Sequence, residues 1–186
     1  MAWSDERAFY TDGACSGNPG LGGWSYVELD HYAKSIIGFD YENFIPNTTN
    51  NRMELSAILA VCNKIKNDIL YEKTTYTIYS DSAYCVNLIN IWMWSWSKNG
   101  WYNSRKEEIA NKDLVLQLYD FFSQPDCRVK VEKVDGHNNL LGNEVADRLA
   151  TGKVKEVKDL LRKGNYEVDF SSVGYLNGQL LLGNIE

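Results

Sequence analysis

The hydrophobic period changes along the chain from strand spacing to helical spacing. Residues 7–12, Gly23–Leu29 and Ala33–Tyr41 are short apolar and aromatic runs separated by turn-rich or polar stretches. This pattern predicts three strands joined as an antiparallel meander. The apolar residues that follow recur every three to four positions, which predicts a helix of about five turns capped by Asn50 or Asn51.

The rest of the chain alternates between the two periods. Thr75–Ser80 is rich in β-branched and aromatic residues and predicts a fourth strand, followed by a helix from about Ser82. A helix around Leu114, a fifth strand around Val129 and a short helix from about Gly142 complete the pattern. The order βββ-α-β-α-α-β-α predicts an α/β (mixed α+β) fold, in which helices cover both faces of a five-stranded mixed sheet.

Composition is typical of a soluble globular protein, with 44% hydrophobic and 24% charged residues in a chain of 186. No apolar run reaches the length of a transmembrane helix, and the acidic N-terminus does not resemble a signal peptide. The four cysteines form no CxxC pair, which argues against a zinc site or a disulfide framework. We therefore expect a cytoplasmic protein without membrane contact.

The chain changes character after Ala150, which predicts a main domain over residues 1–151 and a C-terminal extension over residues 152–186. The extension begins with a basic stretch and continues as a Gly/Asn-rich segment with small apolar clusters. We interpret the basic stretch as a surface helix; contact with a nucleic-acid backbone is the alternative. The basic residues are Lys153, Lys155, Lys158, Arg162 and Lys163.

The net charge of −6 argues against a protein that coats nucleic acid non-specifically, because such binding depends on Lys and Arg neutralising phosphates. The same charge is compatible with a nuclease. Several carboxylates filled by divalent cations make an acidic surface locally attractive to a phosphate backbone.

Four carboxylates occupy positions where they can converge. Asp12 ends the first predicted strand and Asp81 ends the fourth, so they lie side by side if those strands are neighbours. Glu54 is expected in the first turn of its helix, and Asp147 in the first turns of the last one. Alone, each residue is also typical of a turn, a helix cap or a solvated surface, so the joint pattern carries the prediction.

Such a cluster without Lys or Arg partners predicts a divalent metal site. Converging carboxylates repel one another and raise their pKa values unless cations lie between them. Oxygen ligands without paired Cys or His favour two Mg²⁺ ions, with Mn²⁺ as a possible substitute. Two-metal sites of this kind catalyse phosphoryl displacement, and His137, in a nearby Gly/Asn-rich loop, is a candidate for proton transfer.

Five segments, in order, resemble the type 1 ribonuclease H family over residues 7–151. They are "YTDGACSGNPG", "TTNNRMEL", "YSDSAYCVN", "WSWSKNGW" and "VDGHNNLLGNEVADRLA". The resemblance implies a ribonuclease H-like fold and endonucleolytic, metal-dependent hydrolysis of the RNA strand of RNA/DNA hybrids. The expected products carry 5′-phosphate and 3′-hydroxyl ends.

The resemblance also implies roles for individual residues. The metal ligands would be Asp12, Glu54, Asp81 and Asp147, with Asp12 bridging both ions and His137 assisting turnover. The residues expected to contact substrate lie in four groups. They are Gly13, Cys15, Ser16, Asn18 and Asn51, with Glu54, at the minor groove; Thr49 and Asn50 at a DNA phosphate; Trp96, Lys98 and Trp101 on a basic protrusion; and Asn143, as a further substrate-binding residue.

Two departures from the family pattern bear on substrate affinity. Ala83 stands where bacterial relatives commonly carry a Gln that contacts the minor groove, and Glu107 and Glu108 make the protrusion less basic. No separate hybrid-binding domain precedes Arg7 in this sequence, so we expect a distributive enzyme that acts as a monomer.

Two alternatives remain open from the sequence. One is a binding module that keeps the fold without activity, although all five catalytic positions are chemically intact. The other is an integrase-like or 3′-exonuclease member of the same superfamily, which would cut DNA or single strands.

Overall fold

The computed structural model describes residues 5–29, 35–68, 74–135, 141–163 and 167–168. Its strands are β1 (Asp5–Gly17), β2 (Gly20–Leu29), β3 (Ser35–Thr48), β4 (Thr74–Ser80), β5 (Val129–Lys133) and β6 (Glu167–Val168). Its α-helices are α1 (Asn50–Lys66), α2 (Ala83–Asn87), α3 (Met93–Trp96), α4 (Lys112–Phe122), α5 (Leu141–Ala150) and α6 (Val154–Lys163), with a π-helical segment at Leu88–Trp92 between α2 and α3.

The strands form one mixed sheet in the order β5-β4-β1-β2-β3-β6. β1, β2 and β3 pair antiparallel as the predicted meander, whereas β4 lies parallel to both β1 and β5. The five predicted strands are thus confirmed. The two-residue β6 pairs parallel with the start of β3 and adds a sixth strand that the sequence did not predict.

β1 is longer than predicted because the Gly/Pro-rich stretch after Asp12 is itself extended. Antiparallel pairing with β2 continues to the Gly17↔Gly20 pair, so the turn occupies only Asn18 and Pro19. Gly17 has a φ of 119°, a backbone conformation that side chains with a Cβ rarely adopt. The turn-like composition therefore marks a strand that approaches other backbone closely.

Helix α1 begins one residue earlier than expected. Thr49 is the N-cap, and its side chain accepts a hydrogen bond from the Arg52 N–H. The prediction of Asn50 or Asn51 as the cap was wrong, because the Thr hydroxyl already satisfies the first turn. As a result Glu54 lies in the second turn of the helix, not the first.

Helices cover both faces of the sheet, as predicted. One core lies between the sheet and helices α1 to α4, and alternate strand residues such as Phe9, Tyr76 and Ile78 point into it. The other core contains the opposite alternation, including Val27 and Leu29, and is covered by α5 and α6. This period-2 division sends side chains of odd number on β1 towards α1, and those of even number towards α5.

The tryptophan-rich segment is held by one wide helical turn. In the π-helical segment the backbone bonding widens, and the Trp94 indole N–H donates to the Ile89 carbonyl at 2.8 Å. Trp92, Trp96 and Trp101 are partly buried against the first core, while Trp94 is more exposed. Three of these four tryptophans therefore serve packing.

The C-terminal residues that the structure describes belong to the same sheet and core. Val157 of α6 is fully buried beside Leu29 and Ile36, and β6 extends the sheet. Among the described residues, no helix is long and apolar enough to cross a membrane.

Candidate active site

The parallel pairing of β1 with β4 brings two carboxylates to one edge of the sheet. Thr11 pairs with Ser80 at the end of the ladder, and Asp12 and Asp81 are the next residues of their chains. The sequence placed these carboxylates side by side on the condition that the two strands are neighbours, and the structure meets that condition. Carboxyl ends of adjacent parallel strands are a common location for binding sites in open sheets.

Glu54 reaches this edge because α1 lies directly against β1. A Cβ on Gly13 would lie 2.2 Å from the Glu54 nitrogen and 2.4 Å from the Met53 carbonyl carbon, so only glycine permits this approach. The Gly13 N–H donates to Asp12 Oδ1 at 2.8 Å. Gly13 thus holds helix and strand together at the site.

Asp12, Glu54 and Asp81 form a tight carboxylate cluster, in which one oxygen from each lies within 4.8 Å of the others. Asp12 is 8% exposed and Glu54 is 5% exposed. Glu54 Oε2 is completely buried and accepts no hydrogen bond from the described residues. A buried carboxylate oxygen without a donor is costly unless a cation meets it.

The cluster perturbs its own protonation. Burial raises the pKa of Asp12 to about 8, and the nearby Asp81 and Asp147 add to this by repulsion, while the Gly13 hydrogen bond opposes it. The pKa of Glu54 is also raised well above its usual range by burial and by Asp12 and Asp81. These shifts are typical of a functional site whose carboxylates are stabilised when cations bind.

Asp147 lies across a cavity of about 310 Å³ from the cluster, on α5. Its carboxylate is 33% exposed and lies 3.5 Å from the Arg148 guanidinium, which in turn is 3.9 Å from Glu156. The expectation that all four carboxylates lack Lys or Arg partners was therefore wrong for Asp147. Arg148 is its immediate neighbour on the helix and turns back towards it.

The donor set fits divalent cations of the hard type. All the candidate ligands are carboxylate oxygens, one of them is an orphaned buried atom, and no Lys or Arg side chain is paired with Asp12 or Glu54 among the described residues. Mg²⁺ and Mn²⁺ prefer such ligands, and Asp147 could complete the set from the opposite wall.

The residues predicted to contact substrate lie in several places. Asn50 and the buried Asn143 line the carboxylate cavity itself, with Gly13. Cys15 and Ser16 line a neighbouring groove, while Asn18, in the β1–β2 turn, and Asn51, on α1, are exposed. Thr49 is engaged as the cap of α1, and Trp96, Lys98 and Trp101 lie on the segment after the π-helical turn. His137 lies outside the described residues.

Sequence reasoning did not identify a polar cluster beside the start of α1. The Arg52 guanidinium donates to Asn111 Oδ1 at 3.2 Å and forms a two-point ion pair with Asp113, while Asn111 donates to the Tyr84 hydroxyl. Asn111 has a φ of 58°, and Asn tolerates this conformation better than most residues. Nothing in the local spacing signals this contact, because it joins distant segments.

The protrusion is partly neutralised, as its composition predicts. Lys112 pairs with Glu108 at 3.1 Å, and Asn103 donates to Glu107. Lys98, Arg105 and Lys106 are exposed. Ala83, which stands at the position of the expected Gln, is exposed at the first residue of α2.

A buried carboxylate cluster at the carboxyl ends of parallel strands is typical of metal-dependent enzymes that act on phosphate esters. Residues 4–155 match the family model described as RNase H. The chain is 42% identical over 154 residues to the ribonuclease H of Caldicellulosiruptor saccharolyticus, covering 82% of this chain and 99% of that protein. It is equally similar to the ribonuclease H of Syntrophomonas wolfei subsp. wolfei, covering 82% and 98%. The chain therefore belongs to the ribonuclease H family and is an endoribonuclease.

Solved structures share the fold. The LC9-RNase H1 structure, a type 1 RNase H with the type 2 active-site motif, has a TM-score of 0.65 at 25% identity, covering 80% of this chain and 72% of that one. The PFV RNase H domain has a TM-score of 0.66 at 23% identity, covering 80% and 94%. LC11-RNase H1, solved in complex with an RNA/DNA hybrid, has a TM-score of 0.58 at 19% identity, covering 78% and 94%.

Proposed function

We propose that this endoribonuclease hydrolyses the RNA strand of RNA/DNA hybrids at the carboxylate cluster, leaving 5′-phosphate and 3′-hydroxyl ends. Family membership supports the reaction class. The observation that carries the proposal is the buried cluster of Asp12, Glu54 and Asp81, whose oxygens lie within 4.8 Å of one another and include an atom without a hydrogen-bond donor.

The proposed cofactor is a pair of Mg²⁺ ions, with Mn²⁺ as a substitute. Asp12, Glu54 and Asp81 would hold them, with Asp147 contributing from α5. When bound, such ions supply a more acidic water and stabilise the charge that develops on the phosphate. The chain contributes the placement of the carboxylates and the burial of Asp12 and Glu54, which strengthens electrostatic interactions at those two side chains.

The chain's other residues would orient the substrate. Arg148 neutralises part of the charge on Asp147 and lies where a phosphate oxygen could approach. Asn50 and Asn143 offer amide groups in the same cavity. A proton-transfer role for His137, a cytoplasmic location, a monomeric state and a catalytic domain over residues 1–151 stay predictions from the sequence.

Preference for a hybrid follows from the short polar side chains on the elements that carry the carboxylates. RNA differs from DNA by the 2′-hydroxyl, which an A-like duplex displays across a wide, shallow minor groove. Exposed short polar side chains lie on the two elements that carry the carboxylates, with Ser16 and Asn18 further along the β1–β2 hairpin from Asp12 and Asn51 on α1 before Glu54. These groups are suited to hydrogen bonding with sugars at close range.

The test is cleavage of a panel of substrates with a labelled strand, in Mg²⁺ and in EDTA. We expect cleavage of RNA in the hybrid, and none of duplex DNA, single-stranded DNA or single-stranded RNA. Asp12→Asn is the matched inactive variant and should still bind the hybrid. Hybrid binding with intact RNA in the wild type would indicate a binding module, and cleavage of DNA or of single strands would indicate another branch of the superfamily.

A further inference from the structure

A second groove adjoins the carboxylate cavity. It has a volume of about 300 Å³ and lies between the β1–β2 hairpin, the middle of β3 and the C-terminal end of α5. Its walls are mostly small or apolar residues, and two large apolar side chains stand at its rim. The residues of the groove include Ala14, Ser16, Leu21, Phe44, Ala150 and Thr151.

Phe44 is displayed to solvent by a strained backbone. Its side chain is 80% exposed, and its φ of 60° is a conformation that bulky residues rarely adopt. Leu21, which lines the same groove, is 52% exposed. Exposed apolar side chains such as those of Phe44 and Leu21 contribute little hydrophobic stabilisation to the folded protein.

The display is rigid rather than a loose loop. The Asn43 side chain donates to the carbonyls of Leu149 and Ala150 at 2.8 and 3.2 Å, which ties this part of β3 to the last turn of α5. A Cβ on Gly23 would lie 2.4 Å from the Ala150 carbonyl oxygen, so the sheet and helix are in close contact here. Phe44 is therefore preorganised before any ligand arrives.

The groove is continuous with the carboxylate cavity. Ala14 lines both, and α5 supplies Asp147 to the cavity and Ala150 to the groove. Ala14 and Ser16 lie two and four residues beyond Asp12 on an extended strand, which corresponds to about 7 and 14 Å. A strand that leaves the carboxylates along β1 would therefore meet the groove within a few nucleotides of the site.

We propose that Phe44 and Leu21 form an apolar shelf for the RNA strand, packing against its sugars or bases a few nucleotides from the cleaved bond. The inference rests on the proposed function, because the strand that is cut at the carboxylates is the one that continues into the groove. Aromatic surfaces suit nucleotides of any sequence, since every base and sugar presents an apolar face. The shelf would thus improve binding without adding sequence preference.

The test combines side-chain removal with trimmed substrates. Phe44→Ala and Leu21→Ala should each raise KM about tenfold, with little change in kcat, on hybrids whose RNA extends at least eight nucleotides on both sides of a single cleavage site. The effect should disappear when the RNA is trimmed to two nucleotides on the side that faces the shelf, and should persist when the DNA strand is trimmed instead. Phe44→Tyr should restore wild-type KM.

Ile91→Ala is the matched control, because Ile91 is 60% exposed on the π-helical segment and lines neither cavity. An effect of Phe44→Ala that equals that of Ile91→Ala, or that is the same on trimmed and full-length RNA, would overturn the proposal. So would loss of the effect on truncation after Val168, which would identify the apolar C-terminal residues 169–186 as the occupant.

Failure of the shelf and failure of the proposed function are distinguishable. Cleavage of the hybrid by the wild type keeps the proposed function whatever Phe44→Ala does. Binding of the labelled hybrid in the Asp12→Asn background, with and without Phe44→Ala, tests the shelf without any cleavage. Weaker binding by the double variant supports the shelf, and equal binding contradicts it.

Discussion

Asp12 is buried at a position where its surroundings disfavour the ionised form of the side chain. It lies among two other carboxylates, the amide of the next residue donates to it, and burial raises its pKa to about 8. A metal-free protein therefore carries an electrostatic cost at this position that its function requires. Stability and activity are expected to respond in opposite directions when the charge is removed.

Asp12→Asn should stabilise the metal-free protein while abolishing hydrolysis. The amide keeps the shape of the carboxylate without its repulsion, so we expect a gain of about 1–3 kcal/mol at neutral pH, or about 2–4 °C in Tm per kcal/mol. Thermal unfolding in EDTA measures it. Asp113→Asn is the control, because Asp113 is exposed and paired with Arg52, and its replacement should change stability by less than about 1 kcal/mol, without a gain.

The same raised pKa predicts an unusual pH dependence. Between about pH 4 and pH 8 the native state keeps a proton on Asp12 that the unfolded state has lost, so the stability of the metal-free protein falls as pH rises. The slope is up to about 1.4 kcal/mol per pH unit for each such proton, and Glu54 acts in the same direction. Urea unfolding across this range in EDTA should show the fall.

Mg²⁺ should reverse this trend, because it binds the deprotonated carboxylates, and Asp12→Asn should flatten it. A metal-free stability that rises from pH 5 to pH 8 would contradict the raised pKa.

The carboxylates were predictable from the sequence, whereas several of their neighbours were not. Asp12 and Asp81 end strands whose composition is plain, although the sequence left open whether those two strands are neighbours. Asn111 contacts Arg52 from a distant segment, which no local pattern encodes. Arg148 pairs with its own neighbour Asp147, a contact that helical spacing does not predict. Phe44 is concealed for a different reason, since an exposed Phe in a strand has the same sequence signal as a buried one.

At the scale of elements, the junction of β1 and α1 determines where Glu54 lies. The distance from a hypothetical Cβ on Gly13 to the Glu54 nitrogen, 2.2 Å, leaves no room for even a methyl group. The helix cannot move away without carrying Glu54 out of the carboxylate cluster. Gly13 is thus required both for the packing of α1 against β1 and for the position of Glu54.

Gly13→Ala should therefore lose both stability and activity. We expect a cost of about 1–3 kcal/mol or more from overpacking, and a fall in kcat because Glu54 is displaced. Gly38→Ala is the matched control in β3, where a Cβ would meet nothing closer than the Glu28 carboxylate at 3.4 Å, an ordinary van der Waals distance. It should be neutral or slightly stabilising. Urea unfolding and hybrid cleavage measure both, and equal effects of the two substitutions would contradict the steric argument.

The elements themselves were predicted better at their centres than at their ends. Strand centres are rich in β-branched and aromatic residues, which are the residue types that strands favour. The extension of β1 to Gly17 was missed because glycine and serine favour turns, yet here they allow close approach between backbones. The cap of α1 was misassigned by one residue because Thr49 and Asn50 are both good caps.

At the scale of the whole molecule, the described part of the C-terminal segment contributes to the core. Val157 is completely buried with Leu29 and Ile36, and Arg148 of α5 lies near Glu156 of α6. The change of composition after Ala150 predicted a boundary near residue 151. The sequence pattern does not reveal that Val157, which follows this boundary, packs in a core formed by residues that precede it.

Truncation after Thr151 should destabilise the protein by about 2 kcal/mol or more, because it exposes the apolar surface that Val157 covers. Truncation after Val168 keeps α6 and β6 and should cost much less. Val157→Ala should reproduce part of the larger loss, whereas Lys155→Ala, at an exposed position of the same helix, should not. Urea unfolding of the four variants measures this, and equal stability of the two truncations would support the boundary at 151.

The parallel register between β1 and β4 also bears on how the protein acquires activity over time. Asp12 and Asp81 meet only when two strands separated by β2, β3 and α1 have paired, and a slip of one residue would send one carboxylate to the opposite face. Such non-local pairing forms slowly compared with helices. During refolding, recovery of turnover should therefore lag behind recovery of helical circular dichroism. The time course of activity would then report when β1 and β4 pair.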